Sequence, residues 1–220
     1  MDELLARLSR VDACAVSDAL DKLGLKGAVT GIHRVSTLRR ISGRVITVKL
    51  DPDDGRPAAS RHLSTAAVEA GGPGDVIVVE QRSGIDAAGW GGNLALGARL
   101  RGIEGVIVEG PTRDVDEARQ YDFPVFARGH TPRTARGRLV ETGTNVPVTI
   151  GDIPVSQGDF VVADGSGVVF VRAAEIERVL AAAEAITARE RAMAVALRDG
   201  VAISGVMGRD YETMLKRERD

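Results

Sequence analysis

The 220-residue chain has one cysteine, one tryptophan, two tyrosines and four phenylalanines. A lone Cys14 excludes an internal disulfide and any metal site assembled from several thiolates. With aromatics at 3%, a core must be built from Val, Ile, Leu and Ala, and few rings are present for bases to stack on. No apolar run approaches the length needed to span a bilayer. Neither sign of charge dominates, since 29 Lys and Arg face 31 Asp and Glu, for a formal net charge of −2. These charges are spread along the chain without a basic tract, so neither nucleic acid nor membrane is an expected partner. The start, Met1-Asp2-Glu3-Leu4-Leu5, is acidic and amphipathic, unlike a secretory leader, and points to the cytoplasm. The sequence also lacks a phosphate loop, a dinucleotide fingerprint and a nucleophile–base pair. His33, His62 and His130 are far apart, and none stands at ligand spacing with another, so each reads as a loop or structural residue.

What remains is an ordinary globular composition, 44% hydrophobic and 27% charged. A chain of this length can bury roughly 70% of its unfolded surface without staples. Residues 2–24 read as two short helices. Leu4, Leu5, Leu8, Val11 and Ala15 recur at three- and four-residue steps, and Val16, Leu20 and Leu23 form a second stripe offset by one. Asp12 or Ser17 would cap the second helix and Gly24 would end it. Cys14 is expected in the core, and Asp164 and Ser166 in a Gly-rich turn. A β-branched strand is expected over 41–50, a polar turn over 51–57 and a helix over 61–70. Further strands are expected at 105–109, 125–127, 138–142, 146–150 and 167–171, with a loop over 110–116 and a helix over 174–197. Gly74-Asp75-Val76-Ile77-Val78-Val79 is echoed by Gly158-Asp159-Phe160-Val161-Val162-Ala163, which suggests two turn-plus-strand units of one design. No Pro-, Ser- or Gly-rich linker interrupts the chain, so 1–220 reads as one α/β domain with helical termini.

The chemistry concentrates between residues 90 and 114. Trp90-Gly91-Gly92-Asn93-Leu94 opens a short helix that Gly102 can close. Glycines let a backbone approach a ligand, and the first amides of a helix have no internal partner and attract anions. Asn93 could equally be a plain N-cap. The following strand delivers Arg113 and Asp114 to its carboxyl end, where open α/β proteins place ligands. An Arg fork matches a carboxylate, and the adjacent Asp offers hard oxygen for Mg²⁺ or Mn²⁺. Together these pieces suit a substrate with a carboxylate beside a keto group.

As a set these segments resemble the RraA-like family, which includes class II pyruvate aldolases acting on 4-hydroxy-4-methyl-2-oxoglutarate and 4-carboxy-4-hydroxy-2-oxoadipate. The resemblance also takes in Val16-Ser17-Asp18-Ala19-Leu20, Gly43-Arg44-Val45-Ile46-Thr47-Val48 and Arg128-Gly129-His130-Thr131-Pro132. It implies a β/β/α swivelling-type domain that forms a homotrimer, or a hexamer of two trimers, with the pocket between subunits. By position, the turn whose backbone holds substrate falls on Gly91, Gly92, Asn93 and Leu94. The substrate-binding Arg falls on Arg113, and the direct ligand of a divalent metal on Asp114. A Glu from a neighbouring subunit's C-terminal helix can help hold the metal's water shell, and Glu190 is the candidate, with Glu184 second. One position departs: the aldolases carry Asp where this chain has Gly92, so a water-organising carboxylate is missing.

The resemblance implies a metal-dependent carbon–carbon lyase on small 2-oxo acids. It would cleave substrates of the 4-hydroxy-4-methyl-2-oxoglutarate type, decarboxylate oxaloacetate, or do both, through a pyruvate enolate. Decarboxylation needs no base, so the loss of an Asp at 92 should harm it less. The alternative belongs to another class, since some family members bind ribonuclease E or RNA helicases as non-enzymatic regulators. The regulator that gives the family its name lacks the Asp after the Arg, and Asp114 therefore favours the enzyme.

Overall fold

The computed structural model describes residues 2–55 and 61–208. Arg56 and Pro57, which close the expected polar turn, and the charged end after residue 208 lie outside the described residues. The chain opens with α1 (Glu3–Leu8), α2 (Ala13–Leu23), β1 (Ala28–Val29), β2 (His33–Arg34) and β3 (Ile41–Pro52). It continues through α3 (Thr65–Ala70), β4 (Asp75–Gln81), α4 (Gly92–Leu100), β5 (Gly105–Thr112) and α5 (Val115–Gln120). Strands β6 (Val125–His130), β7 (Leu139–Thr144), β8 (Val148–Ile150), β9 (Ile153–Val155), β10 (Phe160–Ala163) and β11 (Val168–Val171) follow. Helices α6 (Ile176–Arg198) and α7 (Ile203–Val206) close the described chain.

The main sheet runs β1-β11-β10-β3-β4-β5-β6-β2, with β7 pairing on β3. Its centre, β3 to β6, is parallel. Such strands are covered on both faces, which is why Val76–Val79 and Val106–Val108 form unbroken apolar runs with every side chain buried. Alternation then sorts them. Ile46, Val48, Ile77, Val79, Val106 and Val108 face α3 and α4. Val45, Val76, Val78, Ile107 and Phe126 face the β8–β9 hairpin and the inner side of β10 and β11. The outer side of that pair, Phe160, Val162, Val169 and Val171, packs under α1, α2 and α6. The layering is the β/β/α arrangement expected.

The repeated Gly-Asp phrase marks two turns of one geometry. Gly74 and Gly158 both sit at φ +86, where only glycine is unstrained. In each turn the Asp carboxylate accepts an amide three residues back, Asp75 from Gly72 at 3.0 Å and Asp159 from Ser156 at 2.9 Å. The strands that follow, β4 and β10, flank β3 on either side and both come into register with Arg44.

Several local expectations need correction. Cys14 is exposed, because the buried face of α2 comprises Ala13, Ala15, Val16, Ala19 and Leu20 and position 14 turns away from it. Asp12, not Ser17, caps α2, accepting the Ala15 amide at 2.8 Å. The helix expected over 61–70 begins only at Thr65, after Ser64 at φ +64. The segment 110–116 is not a loop: β5 continues through a register shift to Thr112, and α5 starts at Val115. A side chain at Gly110 would meet the Gln81 carbonyl at 2.7 Å, so glycine is what lets that strand run on.

Candidate active site

The end of β5 is laced to the chain segment that enters α4. Gly89 donates to the Pro111 carbonyl at 2.9 Å, and Arg113 donates to the Trp90 carbonyl at 3.1 Å. The Thr112 hydroxyl donates to that same carbonyl at 3.2 Å. One step further, Gly92 donates its amide to Asp114 Oδ2 at 2.8 Å. Residues 22 apart in sequence thus share one corner, and the sequence-expected set Gly91, Gly92, Asn93, Leu94, Arg113 and Asp114 lines a single cavity of about 370 Å³.

Glycine lets this corner close tightly. A Cβ on Gly92 would lie 3.1 Å from the Asp114 Cβ and 3.3 Å from the Glu117 Cβ, and one on Gly91 would lie 2.9 Å from Asp114 Oδ2. Asn93 makes no cap; the N-cap position is Gly91, and the Asp114 carboxylate supplies the cap from another element. The Asn93 and Leu94 amides have no acceptor among the described residues, and both residues line the cavity. Asp114 itself sits at φ +56, an uncommon conformation for a residue with a side chain, and such strain clusters at functional sites. Its Oδ2 also stands 3.3 Å from Arg113 Nε, and both side chains are about one-third exposed, at 34% and 37%. Among the described residues, that leaves Asp114 Oδ1 and the two terminal nitrogens of Arg113 without a hydrogen-bond partner and open to a ligand.

The chemistry of this donor set fits a hard cation only in a particular way. Among the described residues no group of three His, Cys, Asp or Glu side chains could enclose a metal. Asp114 offers one carboxylate oxygen, which matches Mg²⁺ or Mn²⁺, ions that keep several waters and take the remaining donors from substrate. Glu190 and Glu184 do not line the cavity. Glu184 is held by Arg7 of the same chain through two contacts of 2.8 Å, which keep its carboxyl below the usual range. Glu190 lies on α6 where burial, and then Asp12 and Asp18, push its carboxyl upward.

The remaining lining was not legible in the sequence. His62, Leu63, Thr65, Thr134 and Arg136 come to the cavity from two segments that show no chemical spacing. Trp90 was legible only as part of a phrase; it is 2% exposed and stacks on Phe123 with ring centroids 6.3 Å apart.

The sequence profile of the RraA-like family (Aldolase/RraA) matches residues 13–170. Protein DlpA of Legionella pneumophila is 28% identical over 200 residues, 91% of this chain but 32% of its own length, so this chain spans about a third of that relative. A Halalkalibacterium halodurans protein with the provisional name 4-hydroxy-4-methyl-2-oxoglutarate aldolase is 29% identical over 204 residues, 90% of each chain. Among solved structures, an uncharacterized protein from Pseudomonas syringae superposes with a TM-score of 0.84 at 28% identity, covering 94% of this chain and 98% of its own. Streptomyces coelicolor RraAS2, described as an unusual member of the RNase ES inhibitor RraA protein family, gives 0.76 at 27% identity, covering 87% and 95%. With its profile match, its fold and its relatives in agreement, the chain belongs to the RraA-like family.

Proposed function

We propose that the protein is a divalent-metal-dependent lyase that breaks a carbon–carbon bond in a small 2-oxo acid to release pyruvate. One observation carries the reading: Arg113, Asp114 and the unfilled amides of Asn93 and Leu94 converge on one cavity. The Arg113 fork and the two amides would hold the pyruvyl carboxylate, fixing the substrate in place. Mg²⁺ or Mn²⁺ at Asp114 would supply Lewis-acid charge beside the keto oxygen. As the bond breaks, negative charge moves onto that oxygen, where a terminal nitrogen of Arg113 would stabilise it beside the cation's charge. Oxaloacetate loses CO₂ and leaves the pyruvate enolate, with no proton to remove first, and the enolate carbon then takes a proton from water to give pyruvate. Retro-aldol cleavage of 4-hydroxy-4-methyl-2-oxoglutarate also requires the carbinol proton to be taken, and Gly92 brings no carboxylate for that task. Decarboxylation is therefore the reaction this site serves better.

In this reading the working form is a homotrimer, or a pair of trimers, in which Glu190 of a neighbouring protomer approaches the cavity. The site itself is tested by Asp114→Asn. Asn keeps an oxygen for the Gly92 amide, so the fold should stand while Mg²⁺ binding and pyruvate release are lost. Full turnover by Asp114→Asn after chelation and restoration of Mg²⁺ would exclude Asp114 as the cation's ligand.

A further inference from the structure

The loop between β6 and β7 carries three arginines with three different fates. Arg133 pairs with Asp86 at 3.4 Å. Arg138 turns back on its own loop, donating to the Thr134 carbonyl at 3.2 Å and the Arg136 carbonyl at 3.5 Å. Arg136 alone of the three lines the cavity, and its guanidinium has no ion pair among the described residues. Its backbone is nevertheless fixed. The Arg136 amide donates to Thr134 Oγ1 at 3.3 Å, and the buried Ala135 carbonyl accepts from Arg138 and Leu139 at 2.9 Å each. Upstream, Ala88 donates to the Arg133 carbonyl at 3.0 Å and Thr131 to the Thr112 carbonyl at 2.9 Å, so the loop is tied to the same segments that hold the site.

The charges of the cavity do not balance. Arg113 and Asp114 stand against each other at 3.3 Å, and no other acid lines the cavity among the described residues. One carboxylate bound at Arg113 would leave Arg136 without a counter-charge in a concave wall. His62, also in the lining, adds no negative charge; its Nδ1 lies 3.0 Å from the Leu63 carbonyl. We infer that Arg136 is a specificity-determining residue, the group that receives the distal carboxylate which both proposed substrates carry. The inference rests on the 2-oxo-acid reading of the site.

The test compares two unreactive ligands of equal length, 2-oxoglutarate and 2-oxopentanoate, which differ only in the distal carboxylate. Calorimetry with Mg²⁺ present should show wild type preferring 2-oxoglutarate roughly tenfold, the size of a charge-assisted hydrogen bond discounted for an exposed arginine. Arg136→Ala should remove that preference by weakening 2-oxoglutarate alone, and Arg136→Lys should retain part of it. No preference in wild type, or equal weakening of both ligands in Arg136→Ala, would overturn the assignment. Failure of wild type to bind either ligand would overturn the 2-oxo-acid reading and this inference with it. A preference that depends on Arg136, without pyruvate release from any substrate, would support the inference and sink the lyase alone.

Discussion

At the residue scale, Asp114 holds two posts that substitution can separate. It caps α4 through the Gly92 amide and offers its other oxygen to the cavity. Asp114→Ala should lose both, costing about 1 kcal/mol of stability as a lost cap as well as activity. Asp114→Asn should lose activity with little change in the urea midpoint, and equal destabilisation by the two variants would reduce Asp114 to a structural cap. Arg113 is also more than a charge. Its Nε faces Asp114 while its terminal nitrogens stay free, a planar arrangement that an ammonium cannot reproduce. Arg113→Lys should therefore lower kcat/KM for pyruvate release by about 10²-fold, of the order of losing one stabilising donor. Retention of more than half the activity would remove Arg113 from the account.

At the element scale, the site exists because Gly91 and Gly92 let the start of α4 come close to Asp114 and Glu117. A methyl at Gly92 would press on the Asp114 and Glu117 Cβ atoms. Gly92→Ala sets that contact against a gain in helix propensity of about 0.5–1 kcal/mol, so the denaturation midpoint should move little, and a loss of about 3 kcal/mol would show that the corner cannot give. In the outer helical layer, Leu180 of α6 is fully buried, so Leu180→Ala should cost about 2–5 kcal/mol. Much of this architecture was legible in the sequence because each strand or helix had one dominant signal. The apolar runs of β4 and β5, the capped stripe of α2 and the paired Gly-Asp turns all lie where the pattern put them. The 110–116 segment was misread because Gly110 and Pro111 look like a loop, whereas close approach to Gln81 is what Gly110 permits. Arg113, Asp114 and the Gly91 turn were legible because their residue types state their chemistry. Arg136 and His62 were not, since only the tertiary path of two loops brings them to the cavity.

At the scale of the whole molecule, the end of α6 and the segment after it leave Val195, Leu197, Val201, Ile203 and Met207 exposed. In the proposed trimer a second copy covers them, and Ile203→Glu should shift light scattering toward the monomer; a monomeric wild type at micromolar concentration would contradict the assembly. Charge where α6 meets α2 should set a pH dependence. Burial, with Asp12 and Asp18 nearby, raises the Glu190 carboxyl. A raised carboxyl takes its proton in the folded chain before the unfolded one, so its unfavourable contribution is present at neutral pH and fades as pH falls through the raised value. Glu190→Gln should stabilise the protein at pH 7 and give no advantage below the ordinary carboxylate range, and an equal gain at both pH values would deny the coupling. The cavity at Arg113 and Asp114 is proposed to be the site of a metal-dependent 2-oxo-acid lyase. It is tested most directly by following pyruvate release from oxaloacetate by the wild-type protein, before and after chelation. Turnover should exceed the metal-catalysed background, stop on chelation, return with Mg²⁺ or Mn²⁺, and exceed cleavage of 4-hydroxy-4-methyl-2-oxoglutarate. Pyruvate release no faster than Mg²⁺ alone, from both substrates, would contradict it.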